Sequence, residues 1–188
     1  MALRRDVMGA TVSVGYQRLD EANGVLGTQG TGALSLGRGA ATDAVTAEVV
    51  LPRALGVQLG LGATSARTAP GEQSGLIEVG EGGILSTGFT ARARMDGVFL
   101  RDDALTLTLS QPLTATGGTL IVGGAQVADR TDGTLALVPV EIKADGAPLV
   151  AEASWVFRSG ENATWRALAG HDAGTAESQL GLSLGLRF

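Results

Sequence analysis

The sequence contains no cysteine and a single lysine, and it has few aromatic residues. Without cysteine, neither a disulfide framework nor a thiolate metal site can form. No stretch of about 18 apolar residues is present, so no transmembrane helix is predicted, and the N-terminal residues MALRRDVMGA lack the apolar segment of a secretory signal. A formal net charge of −5, with the arginines scattered along the chain, argues against a nucleic-acid partner.

Glycine is abundant, with 29 of 188 residues, and it is accompanied by many Thr, Val, Leu and Ala residues. An interior glycine weakens a helix by about 1 kcal/mol relative to alanine, whereas Thr and Val fit the pleated surface of a sheet. The composition therefore predicts an all-β chain, and the length predicts a single domain spanning residues 1–188.

Apolar and polar residues alternate from one end of the chain to the other, which is the pattern of half-buried strands. The clearest segments are 8–16, 45–51, 57–65, 89–95, 104–111, 149–158 and 180–188, and weaker strands are predicted at 31–38, 118–127, 134–142 and 163–170. The Gly- and Glu-rich residues 67–83 are predicted to form a surface loop. The count is about eleven strands, and a single-chain barrel is expected to have an even number.

The polar side of these segments carries mostly Gly, Ser and Thr with isolated charges, unlike the dense charge of a water-exposed sheet face. Small residues with sparse charges suit the interior of a narrow closed barrel, where arginines would pair with glutamates. The apolar side would then face lipid. The predicted lumen charges are Glu48, Arg92, Arg94, Glu152, Arg166 and Arg187.

The pattern thus predicts an antiparallel up-and-down transmembrane β-barrel of about 10–12 strands in the bacterial outer membrane, with membrane lipid as its partner. Its aromatic girdles would comprise Tyr16, Phe89, Trp155, Phe157, Trp165 and Phe188. Two alternatives stay open. One is a soluble β-sandwich for interaction or adhesion, whose second sheet covers the apolar face, and the other is a small stand-alone pore.

The last nine residues, LGLSLGLRF, place alternate residues on one apolar face and end on an aromatic residue. This ending resembles the closing strand of bacterial outer-membrane barrels. The residues of the predicted assembly signal are Leu180, Leu182, Leu184, Leu186 and Phe188.

A narrower resemblance rests on YQRLDEANGVLGT, then LGATSART, then FLRDDALTLTLSQPLTATGGTL, followed by the closing strand; LSQPL is its most specific part. This order resembles the C-terminal translocator barrel of autotransporters whose passengers are subtilisin-like (S8) serine peptidases of alphaproteobacteria. The resemblance implies protein secretion, insertion by the barrel assembly machinery, and an N-terminal passenger that is absent from this chain. The chain would then be the C-terminal part of a longer precursor. Such barrels usually have twelve strands after a pore-spanning helix, and only MALRRD precedes the first strand here.

No catalytic activity is predicted for this chain itself. A Ser-His-Asp set needs a base, and the one histidine, His171, is predicted to be a loop residue. The glycine cluster at 27–32 lacks a Walker lysine, and residues 129–134 lack the remaining ligands of a calcium loop. We therefore expect no enzymatic activity, no cofactor and no metal site.

Overall fold

The protein is represented by a computed structural model that describes residues 1–21, 24–25, 28–29, 40–69, 77–127, 133–142, 146, 148–160 and 162–187. These residues contain twelve strands and no helix. The strands are β1 (Ala2–Val7), β2 (Ala10–Glu21), β3 (Gly24–Val25), β4 (Thr28–Gln29), β5 (Ala40–Val50), β6 (Val57–Ala69), β7 (Ile77–Asp96), β8 (Asp103–Val127), β9 (Gly133–Glu141), β10 (Val150–Ser159), β11 (Ala163–Asp172) and β12 (Glu177–Leu186).

Ten of the strands form one antiparallel sheet in the order β1-β2-β5-β6-β7-β8-β10-β11-β12, with β9 paired to β8. The strands β3 and β4 form a separate two-stranded sheet. The predicted all-β, antiparallel, up-and-down class is therefore confirmed, and strands occupy the predicted segments at 118–127, 134–142 and 163–170. The strand predicted at 31–38 lies outside the described residues.

Strands β9 and β10 share one strand position beside β8. Thr119 of β8 lies opposite Glu141 of β9. Ser110, nine residues before Thr119, lies opposite Val150 of β10, nine residues after Glu141. The register is therefore continuous: Ile142 extends it, since its backbone N–H donates to Gly118 O at 2.9 Å, and the pairing at Val150 has the same register. The ten strands thus fill nine strand positions across the sheet.

The two ends of the sheet differ in their connections. At one end, here called the turn end, short connections cover residues 8–9, 51–56, 97–102 and 160–162. At the opposite, distal end, the short connection 173–176 joins β11 to β12, and the β7–β8 pair extends further than its neighbours, with 20 and 25 residues in its two strands.

The outermost strands, β1 and β12, run in the same direction, because nine positions of alternating direction begin and end alike. Among the described residues no pairing joins β1 to β12, so the sheet is open. The prediction of a closed barrel is therefore confirmed only in part: the antiparallel up-and-down sheet is present, but its two edges are not paired among the described residues. A direct seam between these two strands would be parallel, unlike every other pairing in the sheet.

The buried core lies at the distal end, on the face that carries the even-numbered residues of β5, β6 and β7. The buried residues on this side are Ala40, Thr42, Ala66, Thr68, Ile84 and Ser86. Ala40, Val79 and Ile84 form one cluster against which Leu120 packs. Because β6 separates β5 from β7 in the sheet, this contact indicates that the β7–β8 ribbon leans over the even-numbered face.

Register shifts in the β7–β8 pairing accompany this bend. The first lies between Val79 and Ile84, and two more follow between Leu85 and Phe89. Gly83 sits at the first with a φ of 74°, and a Cβ there would lie 2.5 Å from the Thr68 carbonyl oxygen. We call residues 77–84 and 115–122 the cap. The loop predicted over 67–83 is wrong in part, because 67–69 continue β6 and 77–83 belong to β7. Residues 70–76 lie outside the described residues. The glycines of 77–83 lie at a register shift within β7 and do not end the strand.

Candidate functional surface

One face of the sheet, the apolar face, carries hydrophobic side chains in register from β6 to β12, and on β1 the same face carries Arg5, opposite Val12. The register places Val57, Met95, Leu105, Trp155, Ala167 and Leu182 in one row. The next row contains Leu59, Ala93, Leu107, Ala153, Ala169 and Leu180. The alternation read from single segments is therefore in phase between neighbouring strands, which is the condition for a continuous surface.

No residue of these two rows is buried, and several leucines of this face are exposed. Leu61 is 58 % exposed in β6, Leu182 is 70 % exposed and Leu180 is 88 % exposed at the β12 edge. A shallow groove of about 820 Å³ runs along it, lined mainly by alkyl side chains from Leu59 to Leu180. A contiguous apolar surface of this extent marks contact with a membrane or with another protein.

Aromatic side chains collect at the turn end of the apolar face. The Phe99 and Trp155 ring centroids lie 5.6 Å apart in an edge-to-face contact, and Trp155 stacks on Phe157 at 4.5 Å. Phe157 in turn stacks on Trp165 at 6.3 Å. Of the predicted girdle residues, Trp155, Phe157 and Trp165 are thus brought together. Phe99 was not predicted as a member, because it lies in the turn outside any alternating segment.

Asp103 fixes the turn that carries Phe99. Its carboxylate accepts hydrogen bonds from the backbone N–H groups of Val98, Phe99 and Leu100, at 2.7 to 3.0 Å, and from Trp155 Nε1 at 2.8 Å. Asp103 is only 3 % exposed. Burial alone would raise its pKa, but the hydrogen bonds from Trp155 and the three backbone groups prevail and hold the pKa below its usual value of 3.8. The Asp96-Gly97 pair is the sequence signal for this turn, and Gly97 has a φ of 70° there.

The opposite, polar face carries all six predicted lumen charges. Arg92, Thr108 and Glu152 lie side by side in one row, and Gly60 flanks Arg92 on its other side. Glu48 lies opposite Gly62. The other three are Arg94 opposite Thr106, Arg166 opposite Ser183, and Arg187, which extends the β12 register with its N–H bonded to Asn162 O at 2.9 Å.

The ion pairs predicted between these arginines and glutamates are not formed among the described residues. Arg94 instead bonds Asp96 at 3.1 Å, and Arg53 bonds the same carboxylate. The reason is spacing, since Arg92 and Glu152 are separated by the intervening β8 strand in an open sheet. Hydrogen bonds from Arg53 and Arg94 lower the pKa of Asp96, which lies at the turn end.

The predicted closing strand forms β12 at the edge of the sheet, and every residue from Glu177 to Leu186 is exposed. Leu180, Leu182 and Leu184 lie on the apolar face, opposite Ala169, Ala167 and Trp165. Phe188 lies outside the described residues. The role of this strand as an assembly signal stays a prediction.

His171 lies within β11 and not in the predicted loop. Its Nδ1 is 3.0 Å from Ser178 Oγ, across the pairing with β12 at the distal border of the apolar face. The described part of the chain contains no cluster of acidic, His or Cys side chains that could hold a metal ion. In the same residues no helix is long and apolar enough to cross a membrane.

Comparison with known proteins adds no assignment: no protein-family model, curated protein or solved structure matches this chain.

Proposed function

We propose that this chain is the membrane-embedded β-barrel region of a bacterial outer-membrane protein, which anchors or helps to export an N-terminal passenger and is not itself an enzyme. The observation that carries the proposal is the apolar face, which continues in register from β6 to β12 with several of its leucines exposed, while the other face is rich in Gly, Ser, Thr and charge. Lipid is the surrounding that stabilises such a face without a second sheet.

Strand lengths and connections support the proposal. Strands β10, β11 and β12 each have 10 residues, and a membrane-crossing strand needs about 9–11 residues. The connections at the turn end are short and the β7–β8 pair extends beyond its neighbours at the distal end, and outer-membrane barrels have short turns at one end and longer extensions at the other. The aromatic cluster at the turn end fits a girdle at the membrane–water boundary.

Closure is the step that the proposal adds to the open sheet. Because β1 and β12 run in the same direction, a barrel in which every pairing is antiparallel needs an odd number of additional strands besides the nine positions of this sheet. Closure of the chain on itself would instead create one parallel seam. Either route removes the unpaired edges that hydrocarbon would penalise.

The passenger and the barrel assembly machinery enter the proposal through the resemblance to the translocators of S8 peptidase autotransporters. That resemblance rests on the order of YQRLDEANGVLGT, LGATSART, FLRDDALTLTLSQPLTATGGTL and the closing strand, with LSQPL in β8 as its most specific part. Insertion would depend on β12, so removing Phe188, or replacing Leu182 and Leu184 by Asp, is expected to block assembly.

The test is heat-modifiability on SDS gels of the protein folded in detergent. A closed barrel should run differently before and after boiling, and the Leu182→Asp/Leu184→Asp variant should lose this shift. Ser183→Asp is the matched control, because it adds a charge to the same strand on the polar face. An unshifted band together with a sharp monomer peak in detergent-free buffer would reject the barrel in favour of a soluble β-sandwich.

A further inference from the structure

The polar face holds a groove whose charge is opposite in sign to that of the chain. The groove has a volume of about 760 Å³, and its charged lining residues are Glu48, Arg92, Arg94 and Arg166. Three positive charges thus face one negative charge in a protein whose formal net charge is −5. A concave surface with low-dielectric walls concentrates such a local excess and raises the local concentration of counter-ions.

Two of the three arginines are not neutralised. Arg94 bonds Asp96, which also binds Arg53. Arg92 and Arg166, in contrast, form no ion pair or hydrogen bond with any described residue. Their guanidinium groups therefore keep their five N–H donors each for a ligand or for water.

Arg92 has small neighbours, and hydroxyl groups in the row of Arg94 supply further donors to the groove. In the row of Arg92 the adjacent positions are Gly60 and Thr108, and a Cβ on Gly60 would lie 4.0 Å from Arg92 Cβ. Thr106 and Ser154 line the same groove, and their hydroxyl groups can donate to oxygens of an anion. Arginine forks with nearby hydroxyl groups are the donor set that binds phosphate and sulfonate oxygens.

We propose that this groove binds small polyanions with phosphate- or sulfonate-type oxygens, with Arg92 and Arg166 as the binding residues. If the sheet closes with its polar face inward, as the proposed function requires, the same two residues make the pore anion-selective. The binding claim stands on the groove alone, whereas the selectivity claim rests on the proposed function.

The first experiment measures binding of the fluorescent trisulfonate pyranine by anisotropy, with the protein folded in a non-ionic detergent at low salt. The variant Arg92→Gln/Arg166→Gln should bind at least about tenfold more weakly, because it loses two charge-assisted contacts. The matched control Arg5→Gln/Arg101→Gln removes the same charge from exposed sites outside the groove and should bind as the wild type does. Far-ultraviolet circular dichroism should show that both variants keep their β-structure.

Equal loss of pyranine binding in both double variants would overturn the proposal, because net charge alone would then explain the binding. Unchanged binding in the Arg92→Gln/Arg166→Gln variant would overturn it as well.

The second experiment measures reversal potentials in planar bilayers under a KCl gradient. The wild type should favour chloride, and the groove variant should lose this preference while the control keeps it. Groove-dependent pyranine binding without any conductance would retain the binding site and reject the open barrel. Conductance without anion preference or pyranine binding would retain the barrel and reject the site.

Discussion

A series of arginine substitutions along β12 separates a lipid-facing sheet from a water-facing one. Leu184, Leu182 and Leu180 lie on the apolar face, and Leu184 lies opposite Trp165 of the aromatic cluster. Each step of two residues covers about 7 Å along a strand, or about 5 Å along the membrane normal at a tilt of about 40°. If Trp165 marks the boundary, Leu184 is interfacial, Leu182 lies about 5 Å deeper and Leu180 about 10 Å deeper, near the middle of an apolar band about 25 Å tall.

In lipid the cost of the substitution should therefore rise with depth. An arginine on the lipid face costs about 2–4 kcal/mol of folding free energy at the bilayer midplane and about 0–1 kcal/mol near the interface. We expect the loss of folding free energy to be about 1 kcal/mol for Leu184→Arg, about 2 kcal/mol for Leu182→Arg and about 3 kcal/mol for Leu180→Arg.

In water the order should be the opposite. Leu184 is 45 % exposed, Leu182 is 70 % exposed and Leu180 is 88 % exposed. Full burial of a leucine contributes about 1.5–3 kcal/mol, so Leu184→Arg would lose about 1 kcal/mol and Leu180→Arg only a few tenths, by the same scaling. The order of the three variants thus decides the surroundings of the face, even if the absolute values differ.

The assay is a denaturant titration of folding into phosphatidylcholine vesicles, followed by the fluorescence of Trp155 and Trp165, the only two tryptophans. Gln179→Arg is the control, because it places the same charge on the polar face of the same strand, opposite Gly170. The reasoning is refuted if Leu180→Arg is the mildest of the three variants, or if Gln179→Arg costs as much as Leu180→Arg.

Three further predictions concern the turn end and the cap. The ionised Asp103 carboxylate should contribute its full stabilisation of the turn above pH 3.8, its pKa in the unfolded chain, and lose it as the pH falls through the lower pKa of the folded state. The change in Trp fluorescence at acid pH should then be absent from an Asp103→Asn variant, and a variant that kept it would contradict this. Gly83→Ala should destabilise the fold by about 1–3 kcal/mol, since a Cβ there meets the Thr68 carbonyl oxygen at positive φ, whereas Gly82→Ala has open space and should be neutral in the same denaturant titration. The chain has no cysteine, so single introduced thiols can be labelled with maleimide. A Thr68→Cys thiol should react far more slowly than a Glu48→Cys thiol, because Thr68 is fully buried under the cap. Equal rates would mean that the cap does not cover this face.

The sequence was sufficient for those features that depend on local periodicity. Alternation in segments such as 57–65 and 180–188 predicted strands and the face on which each side chain lies, because successive side chains of a strand point to opposite faces whatever the partner strand is. The pairing in β6, β7, β8 and β12 agrees with those assignments. Residues 77–83 escaped the prediction because bulges break the period of two inside a strand.

Features that depend on which strands meet were decided only by the tertiary structure. The sequence placed Arg92 and Glu152 on one face, but only the register shows that β8 lies between them, so that the expected ion pair does not form. The buried carboxylate of Asp103 is satisfied by a turn and by Trp155 on another strand, 52 residues away. The common direction of β1 and β12 follows from the shared position of β9 and β10, which no single segment reveals. Periodicity is a property of neighbouring residues, whereas register and strand order are set by long-range pairing, and this is why the sequence alone determined the two faces while the tertiary structure decided how they are assembled.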